Sequence, residues 1–363
     1  MQAAVHVPNT PVLKIVNDFE IPKPGKKQVL VKVQASGVCH TDVFILSQFS
    51  DDPRTYIMGH EITGIAVQLG PEVKGIHLDK RYSVLAIAGC VACAKGRTPP
   101  PPPPPPPPPS GSPSDQFIST PFVGLGENGG HAEYVVVDEN MLVPVPDNVR
   151  PEDAAVAADA GVTAWHAVKT TAEIKKGDRV LITGIGGLGL LAVQFAVHLG
   201  AEVYAVDMRP SSRELALHFG ARKAFDLPEL DAELKKGFSV DIAIDFVSTD
   251  TTFKREVTAV SGIAFASQLQ KRGRIVIVGL SDQNLVTNVF DGLSTAIEVR
   301  FSIYGLREDL VEVLDLISKN LVHPVTDRVP LHDANLAYND LRSNLVLSRK
   351  VLVPPSFWKD GQH

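Results

Sequence analysis

The stretch RVLITGIGGLGLLAVQFAVHLG, residues 179–200, restricts the folds open to this chain more than any other segment. An apolar run leads into three glycines, Gly184, Gly186 and Gly189, and then into an apolar segment of helical period. In a G-x-G-x-x-G of this kind the first glycine permits a tight turn. The second lets the backbone approach a pyrophosphate, and the third lets helix and strand pack closely. Gly187 and Leu188 complete the turn, and the helix N-terminus behind it offers unpaired N–H groups and a positive dipole to a phosphate. Alone the triplet is weak, because glycine turns are common. Here the next strand, EVYAVD, ends at Asp207, 18 residues beyond Gly189, where an acid can accept both ribose hydroxyls of NAD. Arg209 is the residue type that holds a 2′-phosphate, so NADP stands as the alternative to NAD. A plain glycine turn beside a surface aspartate is the bland reading.

The surrounding pattern supports a parallel sheet. From about 161 to 305, short apolar strands (EVYAVD, VDIAIDFV, RIVIVGL) alternate with amphipathic helical segments such as RELALHFGA. That alternation predicts a doubly wound sheet covered on both faces. Residues 1–160 differ: they carry short alternating runs, QVLVKVQASGV and HAEYVVV, with frequent turns, and read as β-rich. A helical segment, REDLVEVLDLISKNL, and a final strand, RKVLVP, occupy 306–363. No internal repeat is visible.

Composition excludes several functions. A formal net charge of −6 argues against nucleic acid or an anionic membrane as partner. No stretch of eighteen uninterrupted apolar residues offers a membrane span, and the first residues lack the pattern of a signal peptide. Three cysteines, two of them three residues apart, suit metal ligation or free thiols in a reducing, cytoplasmic setting better than a disulfide scaffold.

A second set of residues is dispersed. GVCHTD supplies Cys39, His40, Thr41 and Asp42; MGHEITG supplies His60 and Glu61; AADAGVTAWHA supplies Asp159. Thiolate, imidazole and carboxylate are the ligand types of a three-ligand catalytic zinc with an open fourth position. Taken singly, each residue is as well explained as a small buried hydrophobe, a satisfied histidine or a helix cap.

Their contexts carry a resemblance. GVCHTD, GHEITGIAVQLGPEV, DAGVTAWHAV, GIGGLG and LQKRGRIVIVGL resemble, in order and spacing, the zinc-dependent medium-chain alcohol dehydrogenases. The resemblance implies an α/β fold: a GroES-like catalytic domain formed by 1–160 and 306–363, and a Rossmann NAD-binding domain at 161–305. It implies one catalytic zinc held by Cys39, His60 and Asp159, with Glu61 as the acid that swings to the metal. It assigns Thr41 to the alcohol's proton, and His40 and Arg349 to the cofactor pyrophosphate. Phe44 stands where many relatives carry a proton-relaying histidine, which favours secondary, aromatic or medium-chain alcohols over ethanol. Trp165 and Phe122 are the aromatic residues offered as pocket lining, with simple core packing as the alternative. EVRFSIYG resembles the edge strand through which family members pair, so a homodimer or homotetramer is expected.

One segment departs from the family. Relatives hold a structural zinc with four cysteines where this chain has GCVACAKGRT and then Pro99 to Pro109. Only Cys90 and Cys93 match, and two thiolates cannot close a tetrahedral site, so no structural zinc is expected. Eleven prolines would span roughly 34 Å as a polyproline II rod. The expected activity is reversible hydride transfer from an alcohol to NAD, giving an aldehyde or ketone. A zinc-free quinone or enone reductase, or a non-enzymatic nucleotide-binding redox sensor, are the alternatives.

Overall fold

The computed structural model describes residues 1–48, 52–87, 122–261, 273–290, 292, 296–343 and 346–359. Cys90, Cys93 and the tract Pro99–Pro109 lie outside them. Among the described residues no helix is long and apolar enough to cross a membrane. The chain divides into two compact units. One comprises Met1–Ala160, Leu306–Lys319 and Pro324–His363; the other comprises Gly161–Gly305 and Asn320–His323.

The first unit starts with β1 (Ala3–His6), β2 (Lys14–Val16) and β3 (Gln28–Gly37), followed by helix α1 (His40–Gln48). Strands β4 (Tyr56–Ile57), β5 (Glu61–Leu69), β6 (Arg81–Val84), β7 (Phe122–Val123), β8 (Gly126–Glu127), β9 (Tyr134–Asp138) and β10 (Leu142–Pro144) come next. The helix α2 (Pro151–Val156) then passes into a π-helical turn, Ala157–Gly161.

The second unit continues with α3 (Val162–Trp165), β11 (Arg179–Thr183), α4 (Gly187–His198), β12 (Glu202–Val206), α5 (Pro210–His218) and β13 (Lys223–Phe225). Helix α6 (Leu227–Lys235), β14 (Ile242–Asp245), α7 (Asp250–Ser261), β15 (Arg274–Ile277) and β16 (Glu298–Phe301) complete it. The chain then returns to the first unit as α8 (Arg307–Ser318), β17 (Thr326–Pro330), α9 (Ala334–Arg342) and β18 (Arg349–Val353).

In the first unit the main sheet runs β10-β6-β5-β3-β18-β17, with β9 also paired to β3. Burial alternates along β9, the mark of a strand with one wet face, whereas β3 is buried along most of its length. Val29, Val31 and Val33 of β3 meet Ile62, Ala66, Val84 and Val135 in one apolar cluster, and each valine or isoleucine stabilises the fold by about 1.5–3 kcal/mol on burial. Register places Ser36 opposite both Ile62 and Leu352, and Gly37 opposite Glu61. The end of β3, the start of β5 and a stretch of β18 therefore lie at one level.

The second unit is a parallel sheet in the order β13-β12-β11-β14-β15-β16. The order reverses between β11 and β14, the switch point of a Rossmann sheet, and right-handed crossovers on either side of it place helices on opposite faces. The two architectures together are the GroES-like and Rossmann α/β class expected from sequence. Gly184 follows β11 with φ +86°, a conformation that side chains resist. A β-carbon at Gly189 would lie 1.9 Å from the Gly184 carbonyl oxygen, so the turn closes onto α4 only with glycine there.

A buried carboxyl pair sits at the end of β14. Asp245 accepts hydrogen bonds from the Val247 and Ser248 amides at 2.7 and 2.8 Å and from the Thr252 hydroxyl at 2.7 Å. Glu256 of α7 is equally buried, yet neither of its carboxyl oxygens has a partner of hydrogen-bonding geometry; Asp245 and Thr183 are its electrostatic neighbours. Burial, aided by the adjacent Asp245 charge, raises the Glu256 pKa well above the usual carboxylate range. The folded chain therefore holds a proton that the unfolded chain gives up, and stability falls as pH rises between the two pKa values. Glu256→Gln should flatten that slope when urea midpoints are compared from about pH 6 to about pH 9. An unchanged slope would show that Glu256 is ionised in the fold.

Candidate active site

Three donors from distant segments meet in the first unit. The thiol of Cys39, the imidazole of His60 and the carboxylate of Asp159 each offer one atom, all within 4.8 Å of one another. The Cys39 thiol lies 3.7 Å from Asp159 Oδ2, and His60 Nε2 lies 3.4 Å from the same oxygen. Cys39 and His60 are buried, and Asp159 keeps slight exposure.

Local structure explains each position. Cys39 sits between the end of β3 and α1, and its amide donates to Asp42 Oδ2 at 2.8 Å. His60 immediately precedes β5, behind Gly59. Asp159 lies inside the π-helical turn, whose extra residue per turn re-aims a side chain that a regular helix would place elsewhere.

Asp42 ties two donors together. Besides accepting from the Cys39 amide, it bonds His60 Nδ1 at 2.9 Å through its other oxygen. With the proton on Nδ1, the Nε2 lone pair faces the donor set, the arrangement that orients a metal-ligating histidine. Burial alone would raise the Asp42 pKa, but His60 and the hydrogen bonds outweigh it and the net shift is downward. Burial likewise opposes charge on His60; Asp42 and Asp159 overcome it and lift its pKa well above the ordinary imidazole range. A metal taking Nε2 therefore displaces a proton.

The remaining candidates fall into place around these. Burial drives the Glu61 carboxyl upward, against the pull of Arg349, whose Nε and Nη2 both bond it. Glu61 also accepts from the Ala160 amide at 3.3 Å and stands beside, not within, the three-donor group. Arg349 is buried and lies 3.7 Å from Asp159 as well. The Thr41 hydroxyl lies 3.5 Å from the Cys39 sulfur, and the Thr41 amide donates to that sulfur at 3.4 Å. His40 is exposed at the first position of α1. Phe44 is half-buried against the cluster that contains Leu46, Met58 and Tyr338. Phe122 is half-buried on β7.

In the second unit, Gly184, Gly186, Gly187, Leu188 and Gly189 form the turn between β11 and α4, with Gly186 as the cap of α4. The first-turn N–H groups behind it have no helix carbonyl within reach. Asp207 joins this turn directly: its Oδ2 accepts from the Ile185 amide at 2.8 Å, and Oδ1 accepts from the Arg209 amide at 2.8 Å. The Arg209 side chain turns back onto Asp207 at 3.2 Å. Trp165 is a core residue, packed edge-on against Phe195 at 5.0 Å.

No motif in the sequence assigns a role to Asp42, or to His131, a buried histidine shortly before β9. Asp42 carries one visible signal, an acid three residues after a candidate ligand. His131 carries none.

Thiol, imidazole and carboxylate donors with a hydrogen-bonded carboxylate behind them fit a catalytic zinc. A glycine turn at the switch point of a parallel sheet fits a dinucleotide. Together they define a metal-bearing, dinucleotide-dependent oxidoreductase. Comparison with known proteins gives the same class. Residues 25–147 match the alcohol dehydrogenase GroES-like domain family, and residues 187–319 match the zinc-binding dehydrogenase family. An alcohol dehydrogenase of Geobacillus stearothermophilus is 30% identical over 93% of this chain and 94% of its own length. An NAD-dependent alcohol dehydrogenase of Sulfolobus acidocaldarius is 31% identical over 93% and 95%. The structure of an acetophenone reductase from Geotrichum candidum in complex with NAD is 30% identical, with a TM-score of 0.78 over 97% of this chain and 96% of that one. The chain belongs to the zinc-dependent medium-chain alcohol dehydrogenase family.

The Asp42 link is open to a direct test. In Asp42→Asn an amide replaces the carboxylate, and one of its two polar atoms must present N–H to a donor. Zinc affinity, read by chelator competition, should fall about tenfold to a hundredfold. Parent-like affinity would mean that the Asp42 bonds do not hold the donors.

Proposed function

We propose that this chain is a zinc- and NAD-dependent alcohol dehydrogenase that interconverts a primary or secondary alcohol with the aldehyde or ketone. The convergence of Cys39, His60 and Asp159, backed by Asp42, carries this reading. When bound, zinc supplies Lewis acidity toward an alcohol hydroxyl, and NAD supplies the hydride acceptor. The rest falls to the chain. Cys39 and Asp159 contribute two negative charges that offset a divalent ion, and His60 contributes a neutral nitrogen held by Asp42. The Thr41 hydroxyl, beside the Cys39 sulfur, is the chain's own acceptor for the alcohol proton. Phe44 cannot pass a proton on, so the relay through this position is lost.

On the nucleotide side, Gly184, Gly186, Gly187, Leu188 and Gly189 receive the pyrophosphate. Asp207 accepts the ribose hydroxyls and repels a 2′-phosphate, which favours NAD over NADP; its bond to Arg209 keeps that guanidinium from the phosphate. His40 is the exposed candidate for a further pyrophosphate contact. Arg349 is buried and bonds Glu61 through Nε and Nη2, which leaves only its remaining N–H groups for such a role. Glu61, bonded here to Arg349, is the acid that would turn to the metal.

An apolar residue at position 44 favours secondary, aromatic or medium-chain alcohols over ethanol, and a relative named for acetophenone supports that preference. One zinc per chain and a cytoplasmic setting accord with three cysteines and an incomplete second cysteine comb. Edge strand β16 exposes Val299 and Phe301, and Ile303 just beyond it is exposed too, a surface suited to pairing two copies. A zinc-free quinone or enone reductase is the second reading, but it would have no use for the Asp42-backed donor set.

An alcohol panel run with NAD and NADP in parallel tests the proposal. A secondary aromatic alcohol should outpace ethanol, NAD should outpace NADP, and metal analysis should find one zinc per chain. Reduction of quinones by metal-free protein, with no alcohol oxidised, would sink it. Separately, Phe301→Glu should shift the chain to monomer in sedimentation velocity; an unaltered oligomer would place the interface elsewhere.

A further inference from the structure

Two of the proposed zinc donors, Cys39 and His60, sit on segments that meet at a third residue, His131, just before β9. His131 is fully buried, and both ring nitrogens are used. Nδ1 lies 2.9 Å from the Ser36 hydroxyl, on β3 three residues before Cys39. Nε2 lies 3.1 Å from the Tyr338 hydroxyl, on α9. The rings of His131 and Tyr338 meet edge to face at 5.9 Å.

The backbone around the ring is clamped to the turn that delivers His60. The Gly129, Gly130 and His131 amides donate to the carbonyls of Ile57, Gly59 and Met58 at 2.7, 2.8 and 2.8 Å. Gly59, adjacent to His60, holds φ +96°, and a β-carbon there would lie 2.2 Å from His131 Nδ1. The ring thus occupies the space that any L side chain at position 59 would need. Gly130 is fitted in the same way: its β-carbon would lie 3.0 Å from the Ser36 hydroxyl.

We propose that His131 is a positioning residue for the zinc donors: by bonding Ser36 and Tyr338 while packing on Gly59, it fixes the spacing between Cys39 and His60. A buried polar ring costs desolvation that an apolar side chain of similar size would not. Its return is directional. Two hydroxyls, each able to donate or accept, match the single N–H and single lone pair of a neutral imidazole. Burial holds the His131 pKa down at about 4, against the opposing pull of Asp42, so the ring stays neutral across the working range. The network specifies one relative placement of β3, the 57–60 turn and α9, which an apolar filler would leave free to slide.

This inference rests on the reading that Cys39, His60 and Asp159 bind zinc, and the test separates the two. In the full-length chain, zinc affinity is measured by chelator competition, and cobalt(II) is substituted so that its visible d–d bands report donor geometry. His131→Phe should weaken zinc binding about tenfold and alter the cobalt bands. Tyr338→Phe, which keeps the ring and loses one hydroxyl, should act in the same direction by about threefold. His131→Gln, whose amide can both donate and accept, should recover most of the loss. A parent chain that binds no zinc overturns the donor-set reading itself. A zinc-binding parent whose Tyr338→Phe and His131→Phe variants keep its affinity and cobalt spectrum overturns the positioning role. So does a fall confined to the unfolding midpoint of the chelated protein. Should His131→Phe fail to fold, Tyr338→Phe decides alone.

Discussion

Charge buried at one end of a β sheet governs the first unit. Asp42, Asp159 and Glu61 are carboxylates drawn into a small volume with Arg349 and His60. An isolated buried charge is costly, and breaking a buried pair costs roughly 3–5 kcal/mol. Each acid is therefore answered: Asp42 by His60 and the Cys39 amide, Glu61 by Arg349, Asp159 by His60 and Arg349. Ionising Cys39 adds a further negative charge to a group that holds two cations, Arg349 and His60, and Arg349 then faces Cys39 as well as Glu61 and Asp159. A divalent ion held by Cys39, His60 and Asp159 would offset that charge and require the His60 proton to leave, which would make metal affinity and local electrostatics one property.

The second unit solves a different problem, folding a tight turn onto a helix. That turn demands glycine at 184, where φ is positive, and at 189, where a β-carbon would lie 1.9 Å from the Gly184 carbonyl oxygen. Asp207 is part of the same construction, since it accepts the Ile185 amide inside the turn. The residue proposed to sort nucleotides thus also braces the glycine turn, and replacing Asp207 would remove that bond to Ile185.

How much of this is legible in the sequence differs between the units. The parallel sheet is legible because its strands are continuous apolar runs and its glycine turn has a fixed spacing. β9 is legible through its alternation. The donor segments are not, because Cys39, His60 and Asp159 are distant in the chain and stand out locally only as residue types near glycines. Resemblance to a family, not periodicity, groups them. Asp159 is a clear case: AVAADAG has no polar face to betray a π turn, since nearly every neighbour is a buried alanine or glycine. His131 is further hidden, with partners 95 and 207 residues away. Trp165 misleads in the other direction, because an aromatic residue near a motif is as easily core as lining.

The π turn at Ala157–Gly161 has a consequence for how this chain tolerates change. A π turn is an ordinary helix carrying one surplus residue, and removing that residue restores α-helical pairing. Each residue removed from an α-helix rotates all that follows by about 100°, so a deletion upstream of Asp159 would turn its carboxylate away from Cys39 and His60. Exchanges among small residues in this buried segment leave the direction of Asp159 untouched, while a change in length cannot. Relatives that preserve the donor geometry should therefore stay small in side chain and fixed in residue count here.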